Sequence, residues 1–193
     1  MVPGLILTVL YMGYVLVMTI IRPASMPALP KEARTLGSGV TSLLVALAAA
    51  GGIDLAKSAE LTGTTLNMFS LEGEDATRVA DVMTAAANKS AAGVDDLGLA
   101  LSQTGGVAAA TGLSLEETTG TLAAFADNGL KSSDAGTSFK VMLQRLTPQS
   151  KEAQDAMEAI GFSAYDAQGE FIGMEAVAGK LQTGLAGLSA EQR

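Results

Sequence analysis

Residues 114–161 read SLEETTGTLAAFADNGLKSSDAGTSFKVMLQRLTPQSKEAQDAMEAIG, and this stretch decides the fold class. Ser114-Leu-Glu-Glu117 is a capping-box pattern, in which a Ser oxygen and a Glu carboxylate satisfy the free backbone donors of a helix start. Gly129 ends the helix it opens. Ser133 to Leu146 places Phe139, Met142, Leu143 and Leu146 on one helical face. Pro148 is the expected start of a further helix and Gly161 its end. The periodicity throughout is helical and the breaks are glycines.

The same reading extends towards the N-terminus. Asp54 to Phe69 opens on an Asp cap and carries Leu55, Ala59, Leu66 and Phe69. Asp75 to Asn88 repeats Ala76, Val79, Ala80, Met83 and Ala87, and Val94 to Ala110 repeats Leu97, Leu101 and Ala108. Towards the C-terminus, Phe162 and Ala164 are separated from Phe171 and Ile172 by the turn-like Asp166-Ala-Gln-Gly169, which predicts a small β-hairpin near 162–172. A helix from Met174 to Leu185 follows. Ser189 to Gln192 is another capping-box pattern at a point where the chain stops, so residues 46–193 read as a truncated helical region.

Upstream, Val2 to Ile21 lacks any charged residue, close to the ~20 apolar residues that cross a bilayer as a helix. Arg22 and Pro23 stop it. The expected organisation is a transmembrane-type helix over 1–22, a connector with Pro and Gly over 23–45, and the helical body. Residues 2–21 would contact a membrane, and the bases that follow place the downstream side in the cytoplasm.

Composition narrows the chemistry. The 193-residue chain has no Cys, His or Trp and only 4% aromatics, with 22 glycines, so its core is thin in apolar area and poor in catalytic groups. Three bases and one acid precede Gly39, leaving nine bases against nineteen acids in the rest. An acidic body without basic, aromatic-bearing patches argues against nucleic-acid binding. Asp95-Asp96 and Glu116-Glu117 could suggest metal or acid–base chemistry, but each pair lies in a predicted first turn, where negative charge favours the helix dipole. Lys131, Ser132 and Ser133 could form a Ser–Lys arrangement, for which a helix cap is the simpler account. The glycines at 73, 93, 105, 106 and 112 lack the Gly-Lys-Ser/Thr of a phosphate loop. No catalytic, cofactor-binding or metal site is expected, and no cofactor. Met68, Met83, Met142, Met157 and Met174 read as core filler, although Met-bearing faces also suit partner helices.

Two family resemblances follow from particular residues. VPGLILTVLYMGYVLVMTIIRPASMPALPKEART, residues 2–35, resembles a membrane helix and loop of the large subunit of TRAP-type dicarboxylate transporters. That likeness implies, as an alternative function, a fragment of such a permease. ATRVADVMTAAANKS at 76–90, SDAGTSFK at 133–140 and IGFSAYDAQG at 160–169 resemble the core region of phage tail tape measure proteins, over about 46–193. This second resemblance implies a non-enzymatic structural protein of phage or prophage tails, lying inside the tail tube and setting its length. It also implies the virion tail or a bacterial host cell as location, and tail-tube protein and tail assembly chaperones as partners. Self-association through helices stays open. A helix rises 1.5 Å per residue, so the expected mechanism is a ruler.

Overall fold

In the computed structural model, residues 31–186 and Leu188 are described, with side chains from Val40 onward. The described residues form eight α-helices: α1 (Lys31–Gly51), α2 (Leu55–Met68), α3 (Ala76–Lys89), α4 (Val94–Ala110), α5 (Leu115–Asp127), α6 (Ser132–Arg145), α7 (Lys151–Ala159) and α8 (Met174–Leu185). A single 3₁₀ turn, Gly73–Asp75, leads into α3. The expected membrane-type helix over 1–22 lies outside the described residues. Residues 31–45, expected as connector, are helical, and α1 runs on through the boundary placed at Ala46. Among the described residues no single helix is long and apolar enough to cross a membrane. Val40–Gly51 and Leu55–Met68 together are apolar enough, but they meet at 109°.

The helix starts follow from short polar side chains. Asp54 accepts from the Lys57 amide at 2.7 Å, Ser114 from Glu117 at 3.1 Å and Ser150 from Ala153 at 3.2 Å. Ser150, not Pro148, therefore opens α7. Proline can occupy a first turn, but it could not supply the side-chain oxygen that the exposed amides need.

The ends share one motif. After α5, Gly129 adopts φ +89°, the Gly129 amide donates to Ala126, and the Leu130 amide reaches back to Phe125 at 2.9 Å. This is the Schellman arrangement, with an apolar residue directly after the left-handed position. Leu113 to Ala108 and Phe162 to Met157 repeat it after α4 and α7. Leu113 and Phe162 are buried, so each turn also aims a side chain into the core.

Cross-helix contacts set the architecture. Lys57 meets Asp95, Leu61 abuts Gly98 and Met68 abuts Gly105, so α2 and α4 advance in the same direction. Asp96 with Ser132, and Ala100 with Gly136, do the same for α4 and α6. Arg78 with Glu116, and Ala91 with Asp127, set α3 alongside α5. Hydrogen-bonded partners in these registers lie 36 to 38 residues apart. The chain from α2 to α6 is thus an up-and-down zigzag in two layers, with α2, α4 and α6 in one and α3 and α5 in the other. Each helix pair stacks on the preceding one, as in a helical repeat array.

The core lies between the layers. Val79 and Met83 of α3 and Leu115 and Leu122 of α5 face Leu97 and Leu101 of α4 and Phe139 and Leu143 of α6, all nearly inaccessible. Met83 is fully buried and Met142, Met157 and Met174 pack against this cluster, in accord with their reading as core filler. α4 and α6 make the most extensive contact. It is close because Gly136 rests on the Ala100 backbone. Thr104 and Thr119 are fully buried with hydroxyls that have no hydrogen-bond partner among the described residues.

The hairpin expected near 162–172 is corrected to a turn. Tyr165 and Phe171 form one isolated antiparallel bridge, and no strand occurs among the described residues. The chain does fold back: Ile172 donates to Ala164 at 3.0 Å, and Asp166 accepts from the amides of Gln168 and Glu170, both at 2.9 Å. The arms are too short for a ladder, and two strands alone are marginal in water.

Candidate functional site

The residues singled out by sequence are brought together as ties between helices. All four acidic residues lie in first turns as expected, Asp95 and Asp96 on α4, Glu116 and Glu117 on α5. Adjacent members diverge, so each reaches a different element. Asp95 pairs with Lys57 of α2 at 2.5 Å. Asp96 accepts from the Gly93 amide at 3.1 Å and from the Ser132 hydroxyl at the start of α6. Glu116 takes both arms of the Arg78 guanidinium, at 2.5 and 2.7 Å. Glu117 accepts from the Met174 amide at 2.5 Å, across 57 residues.

Two sequence expectations change here. The capping box at α5 is half formed: Ser114 caps Glu117, but the Glu117 carboxylate leaves its own helix end and holds the start of α8. Ser132 is not a cap either. Lys131 occupies the cap position without a side-chain bond, Ser132 adopts φ +53°, and its hydroxyl crosses to Asp96. The Lys131 ammonium donates to the Ala91 carbonyl at 2.6 Å, while Asp127 accepts from the Ala91 amide at 2.7 Å. Lys131 and Ser132 thus serve different partners, and no nucleophile–base contact joins them. Lys57, Arg78 and Asp127 were not foreseen. Their signal is a recurrent spacing to an opposite partner, visible only once the helix register is known.

The electrostatics agree with a tying role. The Ser132 hydroxyl foremost, then the Gly93 amide and the Lys131 charge, hold the Asp96 carboxyl below its ordinary range against the effect of burial. The Arg78 guanidinium does the same for Glu116, and Arg78 itself is raised by that contact. A carboxyl lowered in the folded state adds stability above its ordinary pKa, about 4, and loses it as pH falls through the lowered value. Unfolding free energy should therefore hold from about pH 7 to about pH 5 and decline below about pH 4. Asp96→Asn should be less stable than wild type at neutral pH, with the difference closing in acid; urea titrations across this range measure it.

Glu117 gives a second expectation. Charge-assisted hydrogen bonds contribute roughly 1.5–3 kcal/mol, so Glu117→Ala should speed exchange of the first-turn amides of α8 by roughly ten- to a hundredfold. Exchange in α4 and α6 should change far less. Hydrogen-exchange mass spectrometry reads both, and unchanged α8 protection would show that Val177 burial alone holds this helix.

Among the described residues no group of three His, Cys, Asp or Glu side chains is placed to hold a metal ion. The arrangement offers helix ties and packing faces, and the comparisons with known proteins point the same way. The sequence model of the phage-related minor tail protein family matches residues 34–193. The chain belongs to that family. It is 39% identical over 147 residues to the tape measure protein of Pneumococcus phage Dp-1, a match covering 76% of this chain and 13% of that protein. It is 30% identical over 175 residues to the probable tape measure protein of Escherichia phage P2, covering 76% of this chain and 21% of that protein. The family member described here thus spans a minor part of these relatives' length. No solved structure matches it. The transporter likeness expected over 1–45 finds no support in these comparisons, and the family match begins at residue 34, inside that stretch.

Proposed function

We propose that this segment of a phage minor tail protein acts as a folded, non-catalytic part of a tape measure protein, resident in the virion tail and in contact with tail-tube protein. The observation that carries this reading is the likeness to two tape measure proteins over the helical region. The two-layer fold, with its first-turn acids used as struts, fits a structural role. Tail assembly chaperones are the further partners this reading implies during assembly.

The fold also modifies the ruler idea. A continuous helix advances 1.5 Å per residue. Here alternate helices return along the same path, so stacking one more pair advances the array by only about 8–10 Å. This segment contributes little length while folded, and the extended parts of a longer tape set the distance.

Deleting one helix pair, 94–131, from a phage whose tape carries this segment tests both statements. A folded array predicts tails shorter by about 10 Å. A single extended helix predicts about 57 Å. Proportional shortening would end the compact reading. Absence of peptides from 46–186 in purified tails, by mass spectrometry, would end the tail assignment itself.

A further inference from the structure

The layer containing α3 carries two shallow grooves on its outer side. One lies between α1 and α3, with Leu43, Ala46 and Ala50 on its α1 wall. The other lies between α3 and α5, with Gly120 and Ala123 on its α5 wall. Ala85 borders both, so the ridge between them is only a methyl group high. Thr119 lies beneath the second groove, fully buried, and its hydroxyl has no partner within the described residues.

Charge on the ridge is arranged about the same residue. Asp81 and Lys89 each stand four positions from Ala85, on one stripe of α3 and of opposite sign. Both are exposed, and neither has an ion-pair partner among the described residues. Arg78, further along, is already neutralised by Glu116. The ridge therefore has no net charge in a body that is otherwise acidic. Two copies repel each other over most of their surface and can meet here.

We propose that α3 pairs antiparallel with α3 of a second copy, across a two-fold axis at Ala85. That symmetry sets Asp81 of each copy against Lys89 of the other, forming two ion pairs at once. The low ridge lets the two helix axes approach to about 8 Å, and each ridge lies against the groove over Thr119 of its partner. The pairing concerns the chain alone and does not depend on a place in the tail, so its failure leaves the tail assignment standing.

The chain has no cysteine, which allows a direct test on the 193-residue chain. Ala85→Cys is compared under mild oxidation with Ser102→Cys, an exposed position on α4 in the other layer. Covalent dimer should form at least about tenfold faster at position 85. Adding Asp81→Lys creates two like-charge contacts and should slow cross-linking by about tenfold. Adding Lys89→Asp as well reverses both signs and should restore the rate to within about threefold. Circular dichroism checks that these surface changes leave the fold intact. Equal cross-linking at both positions would show non-specific association and overturn the proposal. So would a protein that sediments as a monomer into the millimolar range, or a double charge swap that fails to rescue.

Discussion

Gly136→Ala should lower the unfolding free energy by about 2–3 kcal/mol, although alanine is the better helix former by about 1 kcal/mol. A methyl group built on Gly136 overlaps the Ala100 carbonyl, with the carbonyl carbon and Cα of Ala100 at 2.8 Å. These are backbone atoms in the middle of α4, so no rotamer change can make room. Relief requires α4 and α6 to separate along the most extensive helix contact among the described residues, and that separation also loosens Phe139 and Leu143 behind it. Gly63→Ala is the control, because Gly63 lies inside α2 with nothing within 4 Å of the new methyl. It should raise stability by about 0.5–1 kcal/mol. Urea unfolding of both variants against wild type measures the pair. A neutral or stabilising Gly136→Ala would mean that the close α4–α6 approach is not maintained in solution.

Phe139→Ala should cost about 3–5 kcal/mol, a large share of the roughly 5–15 kcal/mol that holds a domain together. Phe139 is fully buried on α6, and its ring meets Phe125 of α5 edge to face at 5.7 Å between centroids. It therefore joins the two layers, where Gly136 joins neighbours within one. Among the described residues five phenylalanines and Tyr165, and no tryptophan, supply large rings to this core, so surrounding alanines cannot fill the space Phe139 leaves. Phe139→Leu should cost less, about 1–2 kcal/mol, because most of the volume is retained. Thermal melting followed by circular dichroism reads the series. Loss of a cooperative transition in Phe139→Ala at room temperature would place the wild type near the lower end of that stability range. A cost below about 1 kcal/mol would contradict the packing described.

Elements governed by bonds within a few residues were legible in the sequence. Asp54 and Ser114 cap helices because the bonds they make span three residues, and the Gly-Leu or Gly-Phe after α4, α5 and α7 marks each end for the same local reason; Ser150 makes the same three-residue bond, although Pro148 was the expected start. Val94–Ala110 and Met174–Leu185 were placed to the residue. The turn at 166–169 was also legible, because Asp166 satisfies amides two and four residues on; its extension into strands was not, since strands need neighbours that no local pattern supplies. The interpretation of Ser132 failed for a related reason. A cap is the local use of a serine, and its actual partner, Asp96, lies 36 residues away.

Helix content, break points and the lack of imidazole and thiol chemistry were settled by the order and kind of residues, through interactions that close within one or two turns. The parallel stacking of alternate helices, the burial of Gly136 against Ala100, and the use of Glu117 to hold α8 were decided only in three dimensions. Each of these depends on side chains or backbone brought together from 36 to 57 residues apart. Nothing in a local window distinguishes a glycine that breaks a helix from one on which a second helix rests. Packing makes that distinction, because a methyl group is harmless where space is open and intolerable where another backbone already fills it.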